Sequence, residues 1–174
     1  MWDWLRWLEE TGLATWVREG DVVTLPFSAF YVLLGIHSIG MAMVVGVMLM
    51  LSIRLFGYFQ QLPLSSADGW MRVAWWGFYI NLASGVVLLI GQPRRELLTM
   101  TFNMKILLVV LALVTMVMMQ RALRHVDIVT GPDGTVVEAV PQRARTAALV
   151  CNLFWIGAII SGRLIGYTQP PPPL

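Results

Sequence analysis

Apolar residues fall into four long runs along the chain, with polar and charged residues collected between them. About 20 helical residues, rising 1.5 Å each, cross the ~30 Å hydrocarbon core of a bilayer. The runs from about Pro26 to Phe56, Val73 to Ile90, Thr101 to Gln120 and Ala147 to Tyr167 satisfy that length. No Asp, Glu, Lys or Arg occurs between Asp21 and Arg54, or between Arg72 and Arg94. The third and fourth runs each keep one cation, Lys105 and Arg163, which has to snorkel to the interface or find a partner. The pattern predicts an all-α integral membrane protein, a four-transmembrane-helix bundle forming a single membrane domain over residues 1–174.

Two other segments follow different rules. Residues 1–21 mix four tryptophans (Trp2, Trp4, Trp7, Trp16) with seven charges and lack the basic-then-apolar order of a signal peptide. They predict an interfacial amphipathic helix, broken near Gly12, with indoles at headgroup depth. Residues 126–140 alternate β-branched and other residues around Gly131-Pro132-Asp133-Gly134, which predicts a short β-hairpin in the loop between the third and fourth spans. Residues 169–174 are a proline-rich tail, and no internal repeat is present.

Composition agrees with the pattern: 57% of the 174 residues are hydrophobic and 13% charged. Soluble domains are nearer 45–50% and about 25%, so the excess apolar surface needs lipid to cover it. A disulfide scaffold is excluded because Cys151 is the only cysteine, and the net charge of +2 is too small and too scattered for a nucleic-acid-binding face. Near the span ends, Arg54, Arg72, Arg121, Arg124, Arg143 and Arg145 lie on one side and Arg6, Arg18, Arg94 and Arg95 on the other. By the positive-inside rule the first side is cytoplasmic, which places both termini in the periplasm of a bacterial inner membrane.

All ten acids lie outside these four runs, which argues against a pump or cation antiporter. No Ser-His-Asp, P-loop, Cys-x-x-Cys or His-Glu-x-x-His arrangement is present, so no catalytic residue is assigned. His37 is the only histidine within a span, about ten residues or ~15 Å from the outer end of the first helix. Gly35 and Gly40 beside it remove side-chain bulk, so a helix or a flat cofactor can approach. Two readings are open: an axial ligand of haem iron, or a histidine hydrogen-bonded to a neighbouring helix through Asn81, Ser84 or Asn152. His125 lies beyond the third span, at a different depth, and does not suit a second ligand. The sixth position would be empty, or filled by a methionine such as Met41, by Lys105 or by another chain.

Lys105, the only lysine, and Arg163 lie toward the outer boundary above His37, where they suit the propionates of a haem or simply reach the headgroups. Asn152, Trp155, Ile159 and Arg163 share a helix face, which suggests that this face points into the bundle. The candidate cofactor site is therefore His37, Gly40, Met41, Lys105, Asn152 and Arg163. Eleven methionines raise a copper path as an alternative, but pairs such as Met41/Met43 and Met48/Met50 split their sulfurs between faces and read better as packing. Ser38/Ala42/Gly46 and Ala158/Gly162/Gly166 form small-residue stripes expected to pack helix on helix.

The runs WLEETGLATWVREGD, LLGIHSIGMAMVVGVMLMLSIRLFG, FNMK and WIGAIISGRLIGY resemble a bacterial family of four-span membrane proteins carried as a domain of unknown function. More distantly they resemble the CopD copper-resistance and HemJ-type haem-binding membrane proteins. The HemJ-type resemblance implies haem b on a first-span histidine, here His37, with a later-span lysine, here Lys105, as ligand or pocket cation. Arg163 matches the Gly-Arg of the last span. The acid-free spans depart from the further charged residues that HemJ-like chains carry. The expectation is a b-type haem subunit that transfers electrons within a larger membrane redox complex or a homo-oligomer. The rivals are a cofactor-free anchor or assembly subunit and a CopD-like metal transporter.

Overall fold

The computed structural model describes residues 3–20, 28–124, 127–130 and 136–168. Trp2, His125, the Gly-Pro-Asp-Gly turn and the proline tail lie outside the described residues. Two short helices, α1 (Asp3–Glu9) and α2 (Gly12–Glu19), precede the long α3 (Ala29–Leu55) and α4 (Ala67–Gly91). A five-residue α5 (Pro93–Leu97) leads into α6 (Met100–Leu123). Strands β1 (Asp127–Thr130) and β2 (Val136–Ala139) pair antiparallel, Ile128 opposite Glu138, before α7 (Gln142–Thr168). Four helical segments are long and apolar enough to cross a membrane, with mean hydropathies between 1.7 and 2.3 over their most apolar windows. The chain is thus a multi-pass, four-helix protein whose lipid-facing side chains need no protein cover.

The second and fourth spans are longer than the apolar runs predicted. Helix α4 starts at Ala67, because a 3₁₀ turn at Leu64–Ser66 feeds into it and Asp68 sits in its first turn, where the helix dipole favours an acid. Helix α7 starts at Gln142, so Arg143 and Arg145 belong to its first turns. Helix α5, which the apolar pattern does not predict, is a single short turn opened by Pro93, whose missing N–H costs nothing at a helix start.

The long helices run alternately up and down. Side chains and backbone meet as Gly40 with Gly77 and His37 with Ser84 across α3 and α4, and as Cys151 with Ala112 and Gly162 with Lys105 across α6 and α7. We call the end carrying α1, α2 and α5 the head, and the end carrying the α3–α4 loop and the strands the base. The buried core lies toward the base: Met48, Leu51, Leu55, Met71, Met116, Met119, Cys151 and Trp155 are all but inaccessible there. Four of the methionines therefore fill core space, where a flexible thioether packs well. Within this core the Asn152 amide donates to the Ala148 carbonyl at 3.0 Å, to the Met48 carbonyl at 3.5 Å and to Ser52 Oγ, joining α7 to α3. Arg54, at the foot of α3, donates from Nε to the Leu62 carbonyl at 2.6 Å and so ties down the loop that Gly57 (φ 97°) turns.

At the head, Thr11 caps α2 by accepting from the Ala14 amide, which breaks α1 from α2. Leu5, Ala14 and Val17 are buried inward, whereas Trp4, Trp7, Leu13 and Trp16 are exposed. Arg18 bridges the Gly91 carbonyl at the end of α4 (3.0 Å) and the Glu9 carbonyl at the end of α1 (3.1 Å), satisfying acceptors that helix termini leave open. Glu9 accepts from the Arg94 amide at 3.3 Å and lies 3.9 Å from its guanidinium. The head helices are thereby tied to the α4–α5 corner.

Candidate functional site

His37 lies on α3 in the head half and faces α4. Its Nδ1 is 3.1 Å from Ser84 Oγ. The Ser84 hydroxyl has one proton, and that proton is directed at the Ile80 carbonyl (2.7 Å) and the Asn81 carbonyl (3.1 Å) of its own helix. With the Ser84 proton directed to either carbonyl, Ser84 Oγ is an acceptor for His37, and in the tautomer that uses it the imidazole carries its hydrogen on Nδ1 and presents a lone pair at Nε2. No hydrogen bond to Nε2 is present among the described residues. The Nδ1–Cε1 edge of the ring packs against Gly85, where a Cβ would come within 3.0 Å of Cε1. Asn81 completes the cradle by donating to the His37 carbonyl at 2.8 Å.

His37, Lys105 and Arg163 converge on two cavities that they share with Leu34 and Gly162. One, of about 420 Å³, lies toward the head and is also lined by Phe30, Leu88, Gln92, Glu96 and Phe102. The other, of about 680 Å³, lies between α3 and α7 and is lined by Ser38, Met41, Ala42, Val45, Gly46, Ala158 and Ile159. The Lys105 stem runs beside Gly162, where a Cβ would lie 3.5 Å from Cδ and Cε. Two cations and one imidazole therefore border the same space.

Two of the expected site residues lie elsewhere. Gly40 is buried in the α3–α4 seam, where a Cβ would come within 2.7 Å of the Asn81 amide and the Gly77 carbonyl, so it packs helix on helix and lines neither cavity. Asn152 is committed to Met48, Ala148 and Ser52 in the base. The α7 face changes surroundings along its length: Asn152 and Trp155 are buried, whereas Ile159 and Arg163 are exposed along the gap between α3 and α7. The Ser38/Ala42/Gly46 stripe, expected to pack on a helix, is likewise exposed on a wall of that gap, and a Cβ on Gly46 would touch nothing within 4 Å. Met41 lines the larger cavity as expected. Gly85 and Glu96 were not singled out from sequence; Gly77 and Gly85, eight residues apart on one helix face, are the signal that marks where α3 comes close.

Among the described residues no group of three His, Cys, Asp or Glu is placed to hold a metal ion. A bare cation at His37 would find no set of three His, Cys, Asp or Glu ligands among the described residues, whereas an iron porphyrin supplies four nitrogens itself and needs as little as one imidazole. The residues present fit such a group: an oriented imidazole with a free Nε2, two cations for two propionates, and cavities within the ~300–1,000 Å³ range of ligand sites. The chain matches no family model, and no curated protein or solved structure is detectably similar to it.

Proposed function

We propose that the chain is a b-type haem-binding integral membrane subunit that transfers electrons within a larger membrane redox complex. The observation that carries this reading is the His37 imidazole, held by Ser84 and Gly85 with no partner for Nε2 among the described residues, on the rim of cavities that Lys105 and Arg163 also border. A hydrogen-bonded Nδ1 is the usual outer-shell arrangement of a metal-ligating histidine, since it fixes the tautomer and the ring plane. The haem would supply one-electron iron chemistry. The chain supplies ligation by His37, charge-assisted hydrogen bonds from Lys105 and Arg163, and an apolar wall that keeps water away.

On this reading the head faces the periplasm of a bacterial inner membrane, with both termini on that side. The exposed indoles of Trp4, Trp7 and Trp16 suit headgroup depth there, and the arginines of the base satisfy the positive-inside rule. An oxidised-minus-reduced optical spectrum of the purified full-length protein tests the haem. The expected outcome is a sharp α-band that His37→Ala abolishes while leaving helicity unchanged. A colourless, stably folded preparation from haem-replete cells overturns the reading and leaves a cofactor-free anchor, and a copper requirement lost in Met41→Leu points to metal transport.

A further inference from the structure

His37 borders two cavities, but a single porphyrin on Nε2 fills one. We infer that the lipid-side slot between α3 and α7 is the binding groove, and that its ligand is a planar tetrapyrrole carrying two carboxylates, taken laterally from the bilayer with those carboxylates toward the head. This rests on the haem reading and adds which cavity is used and from which phase the ligand comes.

Charge distinguishes the two spaces. The head cavity is lined by the Glu96 carboxylate and the Gln92 amide as well as by the two cations. The slot has the same Lys105 and Arg163 at one end and no acid anywhere in its lining. A ligand with two anionic groups at one edge and an apolar body meets complementary charge in the slot, where the nearest acid, Glu96, lies outside the lining and within electrostatic reach of Lys105. The slot is also the larger, at about 680 Å³ against about 420 Å³.

The walls suit a flat body. Small residues usually let two membrane helices close on each other. Here α3 and α7 present Ser38, Ala42 and Gly46 opposite Ala158 and Gly162, yet leave the space between them open. The bulk that these residues lack widens the slot. Ser38 Oγ donates to the Leu34 carbonyl of its own helix at 2.8 Å, so the hydroxyl proton is already used. Toward the base the slot is stopped where Asn152 joins α3, and toward the bilayer Ala42, Gly46 and Ile159 are exposed. The open side thus faces lipid, from which an apolar ring can enter without crossing a charged surface.

The test uses full-length protein purified without haem, reconstituted into phosphatidylcholine vesicles whose bilayer already holds haemin, with uptake followed by the Soret band. Gly46→Leu and Ala42→Phe narrow the slot, and the first adds its side chain where a Cβ meets nothing within 4 Å. Gly166→Leu fills the head cavity from an equally open position. The expected result is uptake by the wild type, a loss of affinity of about tenfold or more in each slot variant, and uptake by Gly166→Leu within about twofold of wild type. Loss in Gly166→Leu with normal loading in the slot variants, or equal loading by all four, overturns the slot assignment while leaving haem at His37 intact. Failure of the wild type to take up haemin overturns the haem reading itself.

Discussion

The base and the head of this bundle are built from the same four helices but solve the membrane packing problem in opposite ways. In the base, small and flexible residues such as Ala112, Ala148, Met48 and Met116 let the helices close, and the one buried amide, Asn152, has all its donors directed at α3 or its own helix. In the head, residues just as small line a gap; an unpartnered nitrogen does not separate the two halves, since Trp155 Nε1 and Arg145 Nε are buried without a hydrogen-bond partner in the base. Small residues therefore do not by themselves decide whether helices touch. Their neighbours do, since Asn152 pulls α7 onto α3 in the base, whereas Lys105 and Arg163 bring bulk and charge to the head.

The comparison can be broken most severely at its closed end. Trp155→Ala removes the largest fully buried side chain and should destabilise the protein by about 3–5 kcal/mol, measured by thermal unfolding in detergent. A loss no larger than for an exposed residue such as Leu153 would mean that the base is not the stabilising core. Gly40→Ala forces a Cβ against the α4 backbone and should cost about 1–3 kcal/mol in the same assay. Ser84→Ala leaves the helix but frees the His37 ring, and haem affinity in a spectroscopic titration should fall about 10–100-fold. Gly46→Ala, facing open space in the head half, should change stability by no more than about 0.5 kcal/mol. Equal costs at Gly40 and Gly46 would erase the contrast between seam and gap.

The first two crossings are legible in the sequence because a charge-free run of more than 20 residues has few other homes, and the other two because their single cations, Lys105 and Arg163, lie near the ends of the runs. Their ends were less so: Asp68, Arg72, Arg143 and Arg145 stop a hydropathy run without stopping a helix, since charges at helix ends project into the interface. Of the candidate site, His37, Lys105, Arg163 and Met41, which border the cavities, stand out in the sequence as polar or soft side chains against an apolar background, and Ser84 is one of three named partners. Gly40 and Asn152 were misplaced for one reason. Neighbourhood along a helix is not neighbourhood in space: the eleven residues from Asn152 to Arg163 rise about 16 Å and cross from a closed end to an open one. The Ser38/Ala42/Gly46 stripe failed likewise, whereas Ala158 of the other stripe is buried and Gly162 packs on Lys105, since a sequence shows that two helices could touch and not which pair does.

The join at Asn152 also has a mechanical meaning. In the head half α7 packs on α6 and α3 on α4, so the gap lies between two helix pairs joined at Asn152, and a tilt of about 5° between the pairs there would displace Arg163, about 16 Å away, by about 1.4 Å. In such a tilt the width of the upper gap changes more than any distance beside Asn152.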